Sequence, residues 1–398
     1  MAELLRVTQH ALLHRIATAQ VDGRAPSLVG AVVRDGAPVW TGGWGAIGDS
    51  PDDTQYRIGS ISKTFVAVQV MRLRDEGRLD LADPLRHPAG RRFHYSNPGF
   101  GVLGALVAQL RGVPWGDALR QDILEPLGMT RTTLMPQQPH ASGWAVHPWA
   151  DVLLPEPAED AGPMAPAGQL WSTVIDLCRF VRFLAEGDPA VLRVETLEEM
   201  RAPASGSTDR TQGYGLGMQL LYDGDRTLVG HTGSMPGFLA AVWLSVDERL
   251  GGITLTNTTA GTQIGSLAAE LIDIVALHEP PLPPPWQPLQ SFDDELLALT
   301  GTWYCGPTGY NLYLLADRYL RLDPLRGSGR ASRFRPEPDG AWTGLEGYYA
   351  GERLRIGRDA GGRVTHVDIG TFVFTRTPYD PAAPVPGGVD PDGWRGLS

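Results

Sequence analysis

The chain has 398 residues, of which 42% are hydrophobic and 20% charged, with a net charge of −11 and two cysteines. Such a length exceeds what one hydrophobic core serves and predicts two domains, while the acidic balance and lack of basic runs argue against nucleic acid or an anionic membrane surface as partner. Cys178 and Cys305 lie far apart and make neither a disulfide framework nor a zinc pattern, which suits a reducing compartment.

In the opening stretch, MAELLRVTQHALLHRIATAQ, Arg6, His10, His14 and Arg15 interrupt the apolar residues, so no export-signal core forms. Leu4, Leu5, Leu12, Leu13 and Ile16 are spaced as one face of an amphipathic helix. No stretch is long and apolar enough to cross a bilayer, and a cytoplasmic protein is expected. Two strands follow, 27–36 and 37–45, joined by a tight Asp35-Gly36 turn. A helix starting near residue 60 buries Phe65, Val68, Met71 and Leu73, with Gly77 as its C-terminal cap.

The portion 97–200 reads as mostly helical, and Ser172 or Thr173 caps a helix to which Asp176 returns the bond. Strands resume at 226–234, 237–247 and 251–259, followed by a helix ending near His278. Strands at both ends with helices between predict one sheet built from distant segments, an α+β layered domain over 1–278. EPPLPPPWQP makes 279–290 a proline-rich linker. Beyond it, over 291–380, seven short strands at about ten-residue spacing predict a small all-β barrel or sandwich. The Pro/Gly-rich tail 381–398 reads as irregular.

IGSISKTF, residues 58–65, holds Lys63, the one lysine among 34 Lys and Arg residues. Arginine stays protonated, whereas a desolvated lysine can give up its proton and act as a base. Ser60 stands three residues before it, on the same helix face and near unpaired N–H groups that favour developing negative charge. Ser60 as nucleophile and Lys63 as its base form a coherent pair. Alone the spacing is weak, since a lysine meets serine three residues upstream about one time in fifteen at ordinary composition. By themselves Tyr95 reads as a surface aromatic, Asn97 before Pro98 as a turn or cap residue, and His231 as a structural histidine.

Together, S-x-x-K at 60–63, Tyr95-Ser96-Asn97 and His231-Thr232-Gly233 resemble the serine β-lactamase and penicillin-binding-protein superfamily, most of all its class C β-lactamase, DD-peptidase, D-aminopeptidase and esterase branch. The resemblance spans about residues 20–275 and includes the LEPLGM, LWST and GHTGSMPGF phrases. The C-terminal part is similar to lipocalin-like barrels appended to some of these hydrolases. The resemblance implies a β-lactamase-like fold, an antiparallel sheet flanked by helices with a helical subdomain, followed by the barrel.

It also implies roles. Ser60 is acylated, and Lys63 and Tyr95 share the proton as base and acid. Asn97 binds the acyl portion of substrate and steadies Lys63. His231 and Thr232 line the opposite wall, near Tyr95 and any substrate carboxylate. The backbone N–H groups of Ser60 and Ser234 form the oxyanion hole, and Gly233 clears room for a substrate along the strand edge.

Only 35 positions separate Ser60 from Tyr95 (95 minus 60), where relatives carry several dozen more, so the helical subdomain is expected to be shortened. The expected function is a serine hydrolase acting on a small ester, amide or peptide, of esterase or D-amino-acid peptidase/amidase type, with weak β-lactamase activity open. A peptide cyclase or acyltransferase, or a catalytically impaired binding protein, stands as the alternative. No cofactor and no metal are expected, because the remaining histidines form no ligand-spaced cluster. A homo-oligomer is left open.

Overall fold

Asp35 and Gly36 both have positive φ, 49° and 72°, the geometry that a two-residue turn needs to match the twist of its flanking strands. They join strand β1 (Ser27–Arg34) to β2 (Ala37–Gly45). The computed structural model describes residues 3–81, 93–206, 212–223, 226–282, 285–327, 329–370 and 372–380. The tail beyond residue 380 and the stretch 82–92, within the Ser60–Tyr95 interval, lie outside these. The chain divides into two units, Met1–Leu282 and Pro283–Ser398.

In the first unit β1 and β2 join β3 (Ser205–Gly206), β4 (Gln212–Tyr214), β5 (Gln219–Asp223), β6 (Arg226–Met235), β7 (Phe238–Ser245) and β8 (Leu250–Thr256). They form one antiparallel sheet in the order β2-β1-β8-β7-β6-β5-β4-β3. Alternation sends Val29, Ala31 and Val33 of β1 to one core, and Leu28 and Val32 to another. Against the second core lie α1 (Arg6–Asp22) and α7 (Ile264–His278), through Leu12, Ile16, Leu267 and Leu271. Thr8, Leu12, Ile16 and Ala19 make the inward face of α1, Leu4 is buried just ahead of it, and Leu5, expected on that face, is 59% exposed. Leu5 is the residue at which the chain enters α1, with φ −56° and ψ 144°, so helical spacing does not set where its side chain points.

The first core packs under α2 (Ser62–Asp75) and α5 (Val174–Glu186), with Phe65 stacked on Phe180 at 3.9 Å between centroids. Helix α2 is buried on every side from Ser62 to Met71, so it is a central helix rather than an amphipathic one. Its end is a left-handed Gly77 at φ 69°, after which Arg78 N–H returns to Leu73 O at 2.9 Å. The region 97–200 is less helical than expected. Besides α5 it holds α3 (Asn97–Arg111), α4 (Trp115–Leu119) and α6 (Val194–Arg201), short helical turns at Arg120–Leu124 and Gly162–Ala167, and loops with a short ribbon of Gly143–Val146 and Leu153–Glu156 between. Thr173 caps α5, accepting from Asp176 N–H at 3.2 Å. The Asp176 carboxylate does not return that bond; it takes Arg131 N–H and the Thr132 hydroxyl at 2.8 and 2.9 Å, clamping a distant loop.

The second unit is a nearly closed antiparallel barrel preceded by α8 (Asp294–Leu299), capped by Asp293. Its strands are β9 (Gly301–Cys305), β10 (Thr308–Leu314), β11 (Leu320–Pro324), β12 (Ser332–Pro336), β13 (Trp342–Gly344), β14 (Arg353–Arg358), β15 (Val364–Ile369) and β16 (Phe372–Phe374). Tyr304 and Thr375 exchange two backbone bonds, 2.7 and 2.9 Å, that bring the last strand back to the first. Trp303, Leu312, Leu322, Phe334, Trp342 and Tyr349 are among the side chains that fill the interior. The unexpected strand is β12, where only Ser332 and Phe334 face inward while Arg333 and Arg335 point out.

Candidate active site

Ser60 sits in a 3-10 turn, Gly59–Ile61, that runs straight into α2. Gly59 has φ 54°, and a Cβ there would lie 2.5 Å from Ser234 N. Across the junction, a Cβ on Gly233 would lie 2.0 Å from Ile58 O and 3.1 Å from Ser60 N. Strand β6 and the serine turn therefore meet backbone to backbone, and both glycines exist for that approach. The missing side chain of Gly233 makes room for the Ile58 carbonyl.

Pro236-Gly237 closes the β6–β7 hairpin with Met235 opposite Phe238, so hydrogen-bonded and open pairs alternate back along β6. Thr232 and Ser234 fall in open pairs and turn their N–H groups away from β7. The Thr232 N–H meets Gln219 Oε1 at 2.9 Å on that edge, and the Ser234 N–H points the same way, toward the serine turn.

Lys63 is 1% exposed. Its Nζ lies 2.8 Å from Ser60 Oγ and donates to Ala167 O at 2.5 Å. The rings of Tyr95 and Phe100 stand 5.0 and 5.7 Å away, and no carboxylate pairs with it among the described residues. Burial without a counter-charge pulls its pKa from the usual 10.5 down to about 8. Steadying Lys63 falls to the Ala167 carbonyl, since no hydrogen bond joins it to Asn97 among the described residues. That carbonyl is held by its loop: Ser62 Oγ accepts from Leu170 N–H at 3.2 Å, and Ile58 N–H donates to Leu170 O at 2.8 Å.

Tyr95 is 38% exposed. Burial of the rest raises its pKa, and the adjacent Ser60 hydroxyl offsets part of that rise. The ring belongs to an aromatic wall, 6.2 Å from Tyr214 and 6.1 Å from His231, while Tyr214 stacks on Phe93 at 4.4 Å. His231 is buried, and desolvation, helped by the charge on Lys63, depresses its pKa to about 4. It is neutral at physiological pH, with Nδ1–H donating to Thr232 O at 2.5 Å, so it offers no cation to a substrate carboxylate.

Thr232 does not share the wall. Strand alternation turns its side chain to the other face of the sheet, where it lines a separate pocket with Gln219, Trp243, Gly265 and Ser266. There its hydroxyl donates to Gln219 Oε1 at 3.2 Å. Gln219 in turn donates to the Tyr214 hydroxyl at 3.3 Å, which ties the strand edge to the aromatic wall.

What the turn, the strand and the start of α3 enclose is a cleft of about 210 Å³, lined by Ser60, Asn97, Met164, Ala167, Ser234 and Met235 among others. Ser96 rather than Asn97 caps α3, accepting from Gly99 N–H at 3.0 Å, which leaves the Asn97 side chain to the cleft. Helix α3 is braced despite the short interval before it. Gly104 allows contact with Pro166, which a Cβ would meet at 2.2 Å. Arg111 bridges Glu76 and Asp122 at 2.6 and 2.9 Å, joining the far ends of α2 and α3. Of the expected residues, Ser60, Lys63, Tyr95, Asn97, His231, Gly233 and Ser234 come together, and Thr232 faces away. Ala167, Gln219 and Tyr214 were not foreseen. Among the described residues no three His, Cys, Asp or Glu side chains are placed to hold a metal, and no helix is long and apolar enough to cross a membrane.

The beta-lactamase family model matches residues 13–87 and 82–277, in two pieces that meet inside the Ser60–Tyr95 interval. A domain of unknown function, DUF7586, matches 292–376, the barrel. Beta-lactamase-like protein 2 of Dictyostelium discoideum is 30% identical over 139 residues, 34% of this chain and 25% of that protein. The D-aminopeptidase of Brucella anthropi is 26% identical over 194 residues, 46% of this chain and 35% of that enzyme. The chain thus matches about a quarter to a third of the length of these two relatives. In fold it is similar to the octameric penicillin-binding protein homologue from Pyrococcus abyssi, with a TM-score of 0.61 at 20% identity, covering 94% of this chain and 100% of that one.

Proposed function

The chain belongs to the beta-lactamase family, and from that premise we propose that it is a serine hydrolase working through an acyl-enzyme on Ser60, of esterase or D-amino-acid peptidase/amidase type. The observation that carries this reading is the buried Lys63 amine, 2.8 Å from the Ser60 hydroxyl with a pKa near 8. At pH 8 about half of such an amine is neutral and can take the serine proton as the oxygen attacks a carbonyl. The Ser60 and Ser234 N–H groups receive the oxyanion, each a donor of the kind whose single loss costs about 3 kcal/mol of transition-state stabilisation. Tyr95 gives its hydroxyl proton to the leaving group and takes the one held by Lys63, which returns the amine to its neutral form. Asn97 holds the acyl portion in the cleft. Water then repeats the attack on the acyl-enzyme, with the same amine as base, and Ser60 is regenerated.

The substrate class rests on two supports. The cleft beside Ser60 is lined by Met164, Ala167 and Met235, which suits an uncharged acyl group. D-Aminopeptidase stands among the relatives. With His231 neutral, a carboxylate anchored on that residue gains nothing, which disfavours penicillin-like substrates.

The test is a fluorophosphonate probe with short p-nitrophenyl esters and D-amino-acid amides, on wild type, Ser60→Ala and Lys63→Arg. Wild type is expected to be labelled on Ser60 and to turn over at least one class. Ser60→Ala should be unlabelled, and Lys63→Arg should lose about a hundredfold or more in rate. Near-full activity in Lys63→Arg would remove the amine from the mechanism, and an unlabelled wild type would favour a binding protein.

A further inference from the structure

Strand β5 parts from β6 early. Its final pairing sets Gln219 opposite Gly230, and the chain just before Gln219 turns to α2 instead. Gly217, at φ 75°, lies so close to that helix that a Cβ there would stand 2.1 Å from Ala67 Cβ. The Gly217 carbonyl accepts from the Thr64 hydroxyl at 3.0 Å, one residue after Lys63. The start of β5 is thereby fixed to the helix that carries the amine, while β6 runs on to Met235 with no strand beside it on that edge among the described residues.

A bare strand edge presents unpaired N–H groups, here those of Thr232 and Ser234. The first is taken by the Gln219 side chain, whose Oε1 accepts from Thr232 N–H at 2.9 Å and from the Thr232 hydroxyl at 3.2 Å. The second, about 6.6 Å further along the strand, meets no acceptor among the described residues. One amide therefore stands in for the departed strand over a single residue, and stops short of the donor that faces Ser60. Its other end is tied as well. Nε2 donates to the Tyr214 hydroxyl at 3.3 Å, and the Tyr214 ring stands 6.2 Å from that of Tyr95. Gln219 lines the pocket on the far face of the sheet and not the cleft beside Ser60, so it acts through these neighbours.

We propose that Gln219 is a positioning residue of this site: it holds the bare edge of β6 so that the Ser234 N–H is aimed at the oxyanion, and it steadies the wall on which Tyr95 rests. The inference rests on the acyl-enzyme reading given above. Water from the pocket behind can satisfy the Thr232 N–H when Gln219 is replaced, but it is not anchored to α2 as β5 is. An aim of this kind matters where charge develops on the oxygen, so its loss falls on the transition state and spares substrate binding.

The test is Gln219→Met, which keeps the side chain's length and loses both amide contacts. Steady-state hydrolysis of a p-nitrophenyl ester should show kcat lowered about tenfold with KM unchanged. Phenylboronic acid provides the second readout. Its boron takes the Ser60 oxygen as the serine proton passes to Lys63, giving a tetrahedral anion with one oxygen toward the Ser60 and Ser234 N–H groups. Its inhibition constant should rise about tenfold in parallel with the fall in kcat. Calorimetric melting checks that the variant is folded at the assay temperature. If it is not, Gln219→Asn, which keeps the amide but draws it back by one methylene, carries the decision with the same expectation. A folded variant with wild-type kcat and boronate affinity, or with raised KM at unchanged kcat, would overturn the inference and leave the acyl-enzyme reading standing. Wild type that neither turns over the ester nor is labelled on Ser60 by a fluorophosphonate would overturn that reading, and the inference with it.

Discussion

Replacing Lys63 by methionine should abolish activity and yet make the first unit more stable at pH 7. In the folded chain the amine has a pKa of about 8 in place of 10.5. Keeping it protonated there costs about 3 to 4 kcal/mol at most, at ~1.4 kcal/mol per pKa unit. The cleft beside Ser60 admits water, so the cost is taken as an upper bound. Methionine fills the same space without charge but abandons the Ala167 carbonyl, a loss of about 1 to 2 kcal/mol. The net gain at pH 7 is about 1 to 2 kcal/mol, or roughly 2 to 8 °C in melting temperature for a unit of this size.

The sign depends on pH. Between about 8 and 10.5 the unfolded chain holds a proton that the folded chain has released, so raising pH through that window stabilises the wild type. The advantage of Lys63→Met should vanish by about pH 10. Scanning calorimetry of both proteins at pH 7 and pH 10 measures it. A variant less stable than wild type by the same margin at both values would refute the claim that the site strains to hold this charge.

The same pKa sets the rate profile: kcat/KM for ester hydrolysis should rise about tenfold per pH unit below 8 and level off above it. With His231 near 4, no second limb belongs between pH 5 and 7, and His231→Gln should leave the profile in place. Gly233→Ala puts a Cβ 2.0 Å from Ile58 O and should drive β6 off the serine turn, lowering kcat about a hundredfold and melting temperature by several degrees. Thr232→Val loses only a bond to Gln219 on the far face, so steady-state assays should find kcat/KM within about tenfold of wild type. A Thr232→Val loss as large as that of Ser60→Ala would mean that its hydroxyl reaches substrate.

The parts of the site legible in the sequence are those carried by side chains at fixed spacing. Ser60 and Lys63 are three apart on one helix start, and their chemistry is distinctive in a chain with no other lysine. The Asp35-Gly36 hairpin was legible because its backbone geometry demands those residue types. The Ala167 carbonyl was not, because any residue carries one and only the fold aims it at Lys63. Thr232 could have been placed: in a strand, neighbours of His231 and Gly233 point to the opposite face. Its place in a motif hid that alternation. Strand β12 was missed because two outward arginines and a closing Pro336 make SRFRP look like a charged loop, with Phe334 its one large inward residue. Asp176 was read as a local capping partner, although its carboxylate serves residues 45 positions away.

The order of strands in the sheet sets a timetable for synthesis. Ser60 leaves the ribosome early, just after β1 and β2, but β1 pairs with β8, and the serine turn rests on β6. Those partners lie beyond residue 225, so the nascent chain carries Ser60 for more than 150 residues with no strand edge to lean on. Contacts of such long sequence separation form late. A ribosome-bound fragment ending before Arg226 should therefore be inert toward acylating probes, and labelling of Ser60 should appear in a single step as β6 to β8 close the sheet.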